Sequence, residues 1–138
     1  MSNQRVVITI IEKNKKVLLL KEKFNKSYEK SKGKWTLPGG KAETNESIIS
    51  AALRELKEET GIKNFFDFDI GGLFFIRNRF IKNDYLLGVS FFSKSFPKEK
   101  IKVNNRINFQ WLSPQKIKKL KLRRHIKMVI KNYERYKI

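Results

Sequence analysis

An α+β sandwich is the fold class that this 138-residue sequence predicts, and three observations predict it. Short apolar runs rich in β-branched and aromatic residues recur along the chain. Lysine- and asparagine-rich turns separate them, and one long segment among them carries a clear helical apolar period. Strands surrounding one well-marked helix, rather than alternating with helices, argue against a parallel βαβ array. The length suits one domain over residues 1–138, since single cores commonly hold about 100–200 residues.

The first two runs, Val6–Ile11 and Val17–Leu20, flank Lys13-Asn14-Lys15 and read as a hairpin. A polar stretch from Asn25 to Lys34 has no periodicity and reads as an exposed loop. Trp35-Thr36-Leu37 is a short extended segment, which Pro38-Gly39-Gly40 breaks. From Glu46 to Thr60 the apolar residues Ile48, Ile49, Ala52, Leu53 and Leu56 recur at three- and four-residue steps, predicting an amphipathic helix. Thr44 or Asn45 is placed to cap its start, Glu46 to meet the positive end of its dipole, and Gly61-Ile62 to end it with a hydrophobic contact. Gly72–Ile76 and Tyr85–Phe92 predict a second hairpin, turning near Lys82-Asn83-Asp84. A further strand ends at Phe109-Gln110-Trp111-Leu112, and Ser113-Pro114 opens a short helix. Leu122, Ile126, Val129, Ile130, Tyr133 and Tyr136 mark a last amphipathic helix.

Composition narrows the function classes. The chain has no cysteine, which excludes a disulfide framework, a thiolate metal site and a cysteine nucleophile, and fits a cytoplasmic location. No stretch approaches the roughly 18 consecutive apolar residues of a membrane span, so no membrane partner is expected. The formal net charge of +19 attracts polyanions and points to RNA as one partner. The alternative is an AT-rich coding sequence that fills solvated faces with lysine, since the basic residues lack the interleaved aromatics of a dedicated nucleic-acid surface.

The anomaly lies in the acids. Of thirteen Asp and Glu residues, Glu43, Glu46, Glu55, Glu58 and Glu59 fall in one short segment. Residues three and four apart share a helix face, so Glu55, Glu58 and Glu59 stand about 5–6 Å apart at the backbone. At an effective dielectric near 20, each close pair repels by roughly 3 kcal/mol. Solvation beside lysines is one compensation. A divalent cation is the other, and oxygen donors without Cys or His suit Mg²⁺, or Mn²⁺, rather than zinc. Magnesium typically binds through a few carboxylates plus substrate phosphates, which implies a phosphorylated substrate.

Gly40 through Ile62 resembles the Nudix box, G-x5-E-x7-R-E-U-x-E-E-x-G-U with U a bulky aliphatic residue, at every fixed position: Gly40, Glu46, Arg54, Glu55, Leu56, Glu58, Glu59, Gly61 and Ile62. Trp35-Thr36-Leu37-Pro38-Gly39 and Glu43 are also similar to the family's flanks. The resemblance implies a Nudix-type α/β/α sandwich with a mixed sheet and the box helix. It also implies hydrolysis of a phosphoanhydride bond in a nucleoside-diphosphate-linked substrate. By that resemblance Glu55, Glu58 and Glu59 are metal ligands, Gly40 offers its carbonyl, and Glu46 orients Arg54 by a salt bridge. Metal ions would neutralise the pyrophosphate and help activate the attacking water. Such chemistry needs positioning more than a covalent nucleophile, in keeping with a site lacking any Ser–His or Cys–His pair.

The family likeness favours a nucleoside triphosphate as substrate. ADP-ribose, a nucleotide sugar or an RNA 5′ end are alternatives, and a nucleic-acid-binding module with a vestigial site is a different class. Two departures stand out: Asn45 where relatives commonly carry glycine, and Asn104-Asn105-Arg106-Ile107-Asn108 where many carry an acid. With amides there, the general base is expected among the box carboxylates, Glu55 or Glu59, with Glu99 as the loop substitute. Trp35, Tyr28, Phe74 and Tyr85 are aromatics able to stack on a nucleobase, although strand aromatics ordinarily pack in cores. Arg5, Arg77 and Arg79 are able to grip phosphate. From these, Trp35, Arg77, Arg79 and Tyr85 form the expected substrate set. His125, the one histidine, is read as exposed or structural rather than catalytic.

Overall fold

The computed structural model describes residues 5–22, 34–63, 68–78, 84–93, 101–103, 107–122 and 124–136. Strands β1 (Arg5–Lys13) and β2 (Lys16–Glu22) form the first hairpin. Its turn, Asn14-Lys15, has positive φ at both residues (51° and 63°), the backbone sign that matches the twist of a two-residue hairpin. Next come β3 (Trp35–Thr36), β4 (Gly39–Lys41) and helix α1 (Ile48–Thr60). The apolar runs expected at 72–76 and 85–92 extend into β5 (Phe68–Asn78) and β6 (Asp84–Ser93), which pair antiparallel. Strand β7 (Ile107–Leu112) and helices α2 (Pro114–Ile117) and α3 (Arg124–Tyr136) complete the order.

The sheet is mixed, as the α/β/α expectation requires. β1 pairs antiparallel with β2 and β4 and parallel with β6, while β7 pairs antiparallel with β2. The centre of the sheet is forked. Only Glu12↔Val17 and Lys13↔Lys16 join β1 to β2. Beyond them the partner of β1 becomes β4, and that of β2 becomes β3, so residues 35–41 wedge between the two strands. The Thr9 amide donates to the Pro38 carbonyl at 2.8 Å across the fork.

Alternation along β1 divides the core. Ile8 and Ile10 pack with Ile126, Val129, Ile130 and Tyr133 of α3, whereas Val7 and Ile11 face α1 through Ala51, Ala52 and Leu56. Glu12 is buried on the α3 side, where the Tyr133 hydroxyl donates to its carboxylate. Leu122, expected within the last helix, precedes α3 and bridges to Trp35, yet it is still buried in the same cluster. No helix among the described residues is long and apolar enough to cross a membrane.

Helix α1 departs from expectation at its start. Ser47, not Thr44 or Asn45, is the N-cap, its hydroxyl accepting from the Ser50 amide at 3.1 Å. Thr44 and Asn45 form a turn, with Asn45 at φ 69°, because the Glu46 side chain is engaged outside the helix. The end is as expected: Gly61 is left-handed at φ 75° and donates to Lys57 O, and Ile62 is fully buried against Leu56. A second departure is β4, a strand where Gly39-Gly40 reads as a break. A Cβ on Gly39 would lie 2.2 Å from Val7 O, so this strand approaches β1 only because the side chain is absent.

Tyr28, Arg79, Lys82, Asn83, Glu99, Asn104, Asn105 and Arg106 lie outside the described residues, as does the expected loop over residues 25–33. The side chains of Phe74, Arg77, Tyr85 and His125 also lie outside them.

Candidate active site on the α1 face

Residues 42–47 connect β4 to α1 and are fastened from three sides. The Arg5 guanidinium, on β1, donates through Nη2 to the carbonyls of Glu43 (2.9 Å) and Glu46 (2.7 Å). The Ala42 amide returns a bond to Arg5 O at 2.8 Å. Within the loop the Glu43 amide donates to Glu46 Oε1 at 3.0 Å. Arg5, weighed from sequence as a phosphate binder, is therefore occupied with backbone. No local signal reveals this, because its partners lie 38 and 41 residues away.

Arg54 reaches the same loop from the helix. Its Nε and Nη2 donate to the two Glu46 oxygens at 2.8 and 2.9 Å, a bidentate pair, and Nη2 also meets Lys41 O at 3.1 Å. Its Nη1 holds Glu55 Oε1 at 3.0 Å and approaches Glu58 Oε2 at 3.5 Å. The Arg54 hydrogen bonds, with that from the Glu43 amide, bring the Glu46 carboxyl down to about 2, and the same pairing raises the already high value of Arg54. Glu55 shifts oppositely. Burial pushes its carboxyl upward, the Arg54 bond and charge oppose that, and the negative charges of Glu58 and Glu46 add to the rise.

Glu55 and Glu59 meet the glycine strand. The Gly39 amide donates to Glu59 Oε1 at 2.8 Å. A Cβ on Gly40 would sit 2.5 Å from the Glu55 carboxyl carbon, so this carboxylate lies directly on the glycine. Beside it a cavity of about 230 Å³ occupies the fork of the sheet. Val6, Val7, Ile8, Leu20, Leu37 and Ile107 supply its apolar lining, and Thr36, Gly39, Gly40 and Glu59 its polar groups.

The structure thus brings together Gly40, Glu46, Arg54, Glu55 and Glu59, with Glu58 at the margin, its side chain 57% exposed. Trp35 stands apart: it packs on the α3 side of the sheet, with the Lys21 ammonium 5.5 Å from its ring centre, and its neighbour Thr36 is the one that meets the cavity. Register places Arg77 opposite Tyr85 and Tyr85 beside Arg5, the strand position that fastens the loop before α1.

The donors at this site are carboxylates and backbone oxygens, the hard ligands of Mg²⁺ or Mn²⁺. As the side chains stand, no three acidic groups among the described residues converge closely enough to hold an ion. Glu55 rests on Arg54 and Glu59 on the Gly39 amide. The chemistry nevertheless fits: a desolvated carboxylate facing like charges is what an adjacent cation relieves.

Comparison with known proteins assigns the pattern. The family model described as NUDIX domain matches residues 1–133. An ADP-ribose pyrophosphatase of Methanocaldococcus jannaschii is 49% identical over 53 residues, which make up 38% of this chain and 29% of that protein. The match thus spans less than a third of that relative. A crystal structure of a NUDIX hydrolase from Nitrosomonas europaea superposes with a TM-score of 0.74 at 24% identity, covering 96% of this chain and 70% of the other. A MutT protein from Methanosarcina mazei Go1 gives 0.68 at 25% identity, covering 96% and 94%.

Proposed function

The chain belongs to the Nudix family, and on that premise we propose that it is a divalent-cation-dependent hydrolase of a phosphoanhydride bond in a nucleoside-diphosphate-linked substrate, acting as a single domain. The observation that carries this reading is the joint placement of Glu59 against Gly39 and of Glu55 against Gly40, where Glu59 and both glycines line the cavity.

In this reading Arg54, locked by Glu46, fixes the orientation of Glu55, and the Gly39 amide fixes that of Glu59. Gly40 provides the room in which the Glu55 carboxylate sits. Magnesium bound by Glu55, Glu58, Glu59 and the Gly40 carbonyl would supply charge neutralisation of the phosphates and acidification of the attacking water. Glu55 or Glu59 takes the proton from that water. The water oxygen forms a new bond to phosphorus, the bridging P–O bond breaks, and the leaving phosphate keeps the electron pair. The raised Glu55 value suits this role, because a base works best when its pKa approaches the working pH.

A nucleoside triphosphate is the leading substrate, in keeping with a compact fold that covers nearly the whole MutT protein of Methanosarcina mazei. ADP-ribose is the second reading, favoured by the name of the Methanocaldococcus jannaschii relative. The test is a panel of nucleoside triphosphates, ADP-ribose, a nucleotide sugar and 5′-triphosphorylated RNA with Mg²⁺, read by product chromatography. Release of nucleoside monophosphate from the small nucleotides, or of phosphate or pyrophosphate from the RNA 5′ end, supports the reading. Absence of turnover on every member refutes it.

A further inference from the structure

Phe109 is one of two large apolar side chains among the described residues that are clearly exposed, at 37%. Its position follows from register. Phe109 pairs with Leu20, and Leu20 in turn pairs with Thr36, so Thr36, Leu20 and Phe109 form one row across β3, β2 and β7 on one face of the sheet. Directly opposed side chains stand about 4.5–5.5 Å apart at Cβ. Leu20 and Thr36 both line the cavity, and so does Ile107, two residues from Phe109 on the same face. Two residues further on, Trp111 turns to the same face and packs beside Leu18, Leu56 and Ile62. Trp111 therefore has a core role and Phe109 does not.

We propose that Phe109 is the stacking platform for the nucleobase of the substrate, at the margin of the cavity whose other end carries Glu59 and Gly40. The apolar side chains of Leu20 and Ile107, with Thr36 beside Leu20, continue into the exposed ring, whereas Glu59 lies with the glycines, so an elongated ligand with a flat apolar head and an anionic tail matches the order of groups. A nucleotide has that shape. The proposal deepens the hydrolase reading and rests on it only for the phosphate end.

The test compares the native protein with Phe109→Ala and Phe109→Trp in two measurements. The first is binding of AMP without divalent cation, followed by tryptophan fluorescence. The second is steady-state hydrolysis of the best nucleotide beside inorganic tripolyphosphate, which has no base. Loss of a stacked base costs about ten-fold in affinity or more. Phe109→Ala should therefore weaken AMP binding and raise KM for the nucleotide by about that factor, with kcat within a few-fold and no change toward tripolyphosphate. Phe109→Trp should restore both. AMP binding that depends on Phe109 in a protein that hydrolyses nothing would uphold the platform and overturn the hydrolase reading. Unchanged binding and KM in Phe109→Ala, no AMP binding by the native protein, or an equal loss on tripolyphosphate would overturn the platform.

Discussion

Replacing Gly40 by alanine should separate activity from stability. The added methyl would lie 2.5 Å from both Cδ and Oε1 of Glu55 and 2.7 Å from Oε2. Carbon contacts are comfortable at about 3.5 Å or more, so the carboxylate must withdraw by roughly 1 Å. A shift of that size is enough to break its 3.0 Å bond to Arg54 Nη1. The Glu55 side chain is flexible and can swing away at little cost to the fold, so stability should change by less than about 1 kcal/mol. A displacement of about 1 Å in a reacting group is nonetheless enough to lower the rate about 10²-fold. Gly39→Ala provides the contrast. Its methyl would meet Val7 O at 2.2 Å, an atom of the β1 backbone that cannot turn aside without loosening the β1–β4 pairing. That variant should lose several kcal/mol, as mutations that force strained close contacts do. The assay pairs kcat at saturating Mg²⁺ with urea unfolding of both variants. Near-native activity in Gly40→Ala, or destabilisation equal to that of Gly39→Ala, would mean that the contact of Gly40 with the Glu55 carboxylate does not matter for catalysis.

Three other outcomes follow. The Glu46 carboxyl lies near 2 in the fold against an ordinary 4.5, so its stabilisation is fully present above about pH 4.5 and lost as pH falls toward 2. The melting-temperature gap between the native protein and Glu46→Gln should close across that window, and a gap independent of pH would contradict the Arg54 pairing. Glu55→Gln and Glu59→Gln should each lose about 10²–10⁴-fold in rate while Glu99→Gln stays within a few-fold; collapse of the Glu99 variant at unchanged metal affinity would move the base onto the loop. If the +19 charge serves RNA, affinity for short single strands should fall with salt at a slope near −0.7 per phosphate contacted, and absence of binding at physiological salt would leave the charge compositional.

The parts of this protein legible in its sequence are those set by local rules. The three- and four-residue steps of Ile48, Ala52 and Leu56 locate α1, and Gly61 its end, because periodicity and a left-handed stop act over a few residues. The box spacing likewise brings Glu46 to Arg54, since eight residues of loop and helix span that distance. What escapes a local reading is decided by partners far along the chain. Gly39-Gly40 reads as a break, yet β1 draws it into the sheet as β4. Ser47 becomes the cap because Glu46 is held by Arg54 and the Glu43 amide. The role of Arg5 depends on carbonyls beyond β2 and β4. Trp35, expected to meet the substrate, takes the α3 face while its neighbour Thr36 lines the cavity, a matter of which face each residue takes in a strand only two residues long.

If carboxylates of α1 carry a cation-dependent hydrolysis, Glu58→Gln should abolish it without unfolding the protein. The Glu58 side chain is 57% exposed and pairs with Arg54 at 3.5 Å, a weak exposed contact, so its loss should leave the melting temperature within a degree or two of native. Nucleotide hydrolysis is then followed against Mg²⁺ concentration in both proteins, with excess chelator as the zero point. Native turnover should rise with Mg²⁺ from nothing in chelator, and the folded variant should show no measurable turnover at Mg²⁺ levels that saturate the native enzyme. Full activity in the variant, or native turnover that persists in chelator, would contradict that role of the α1 carboxylates.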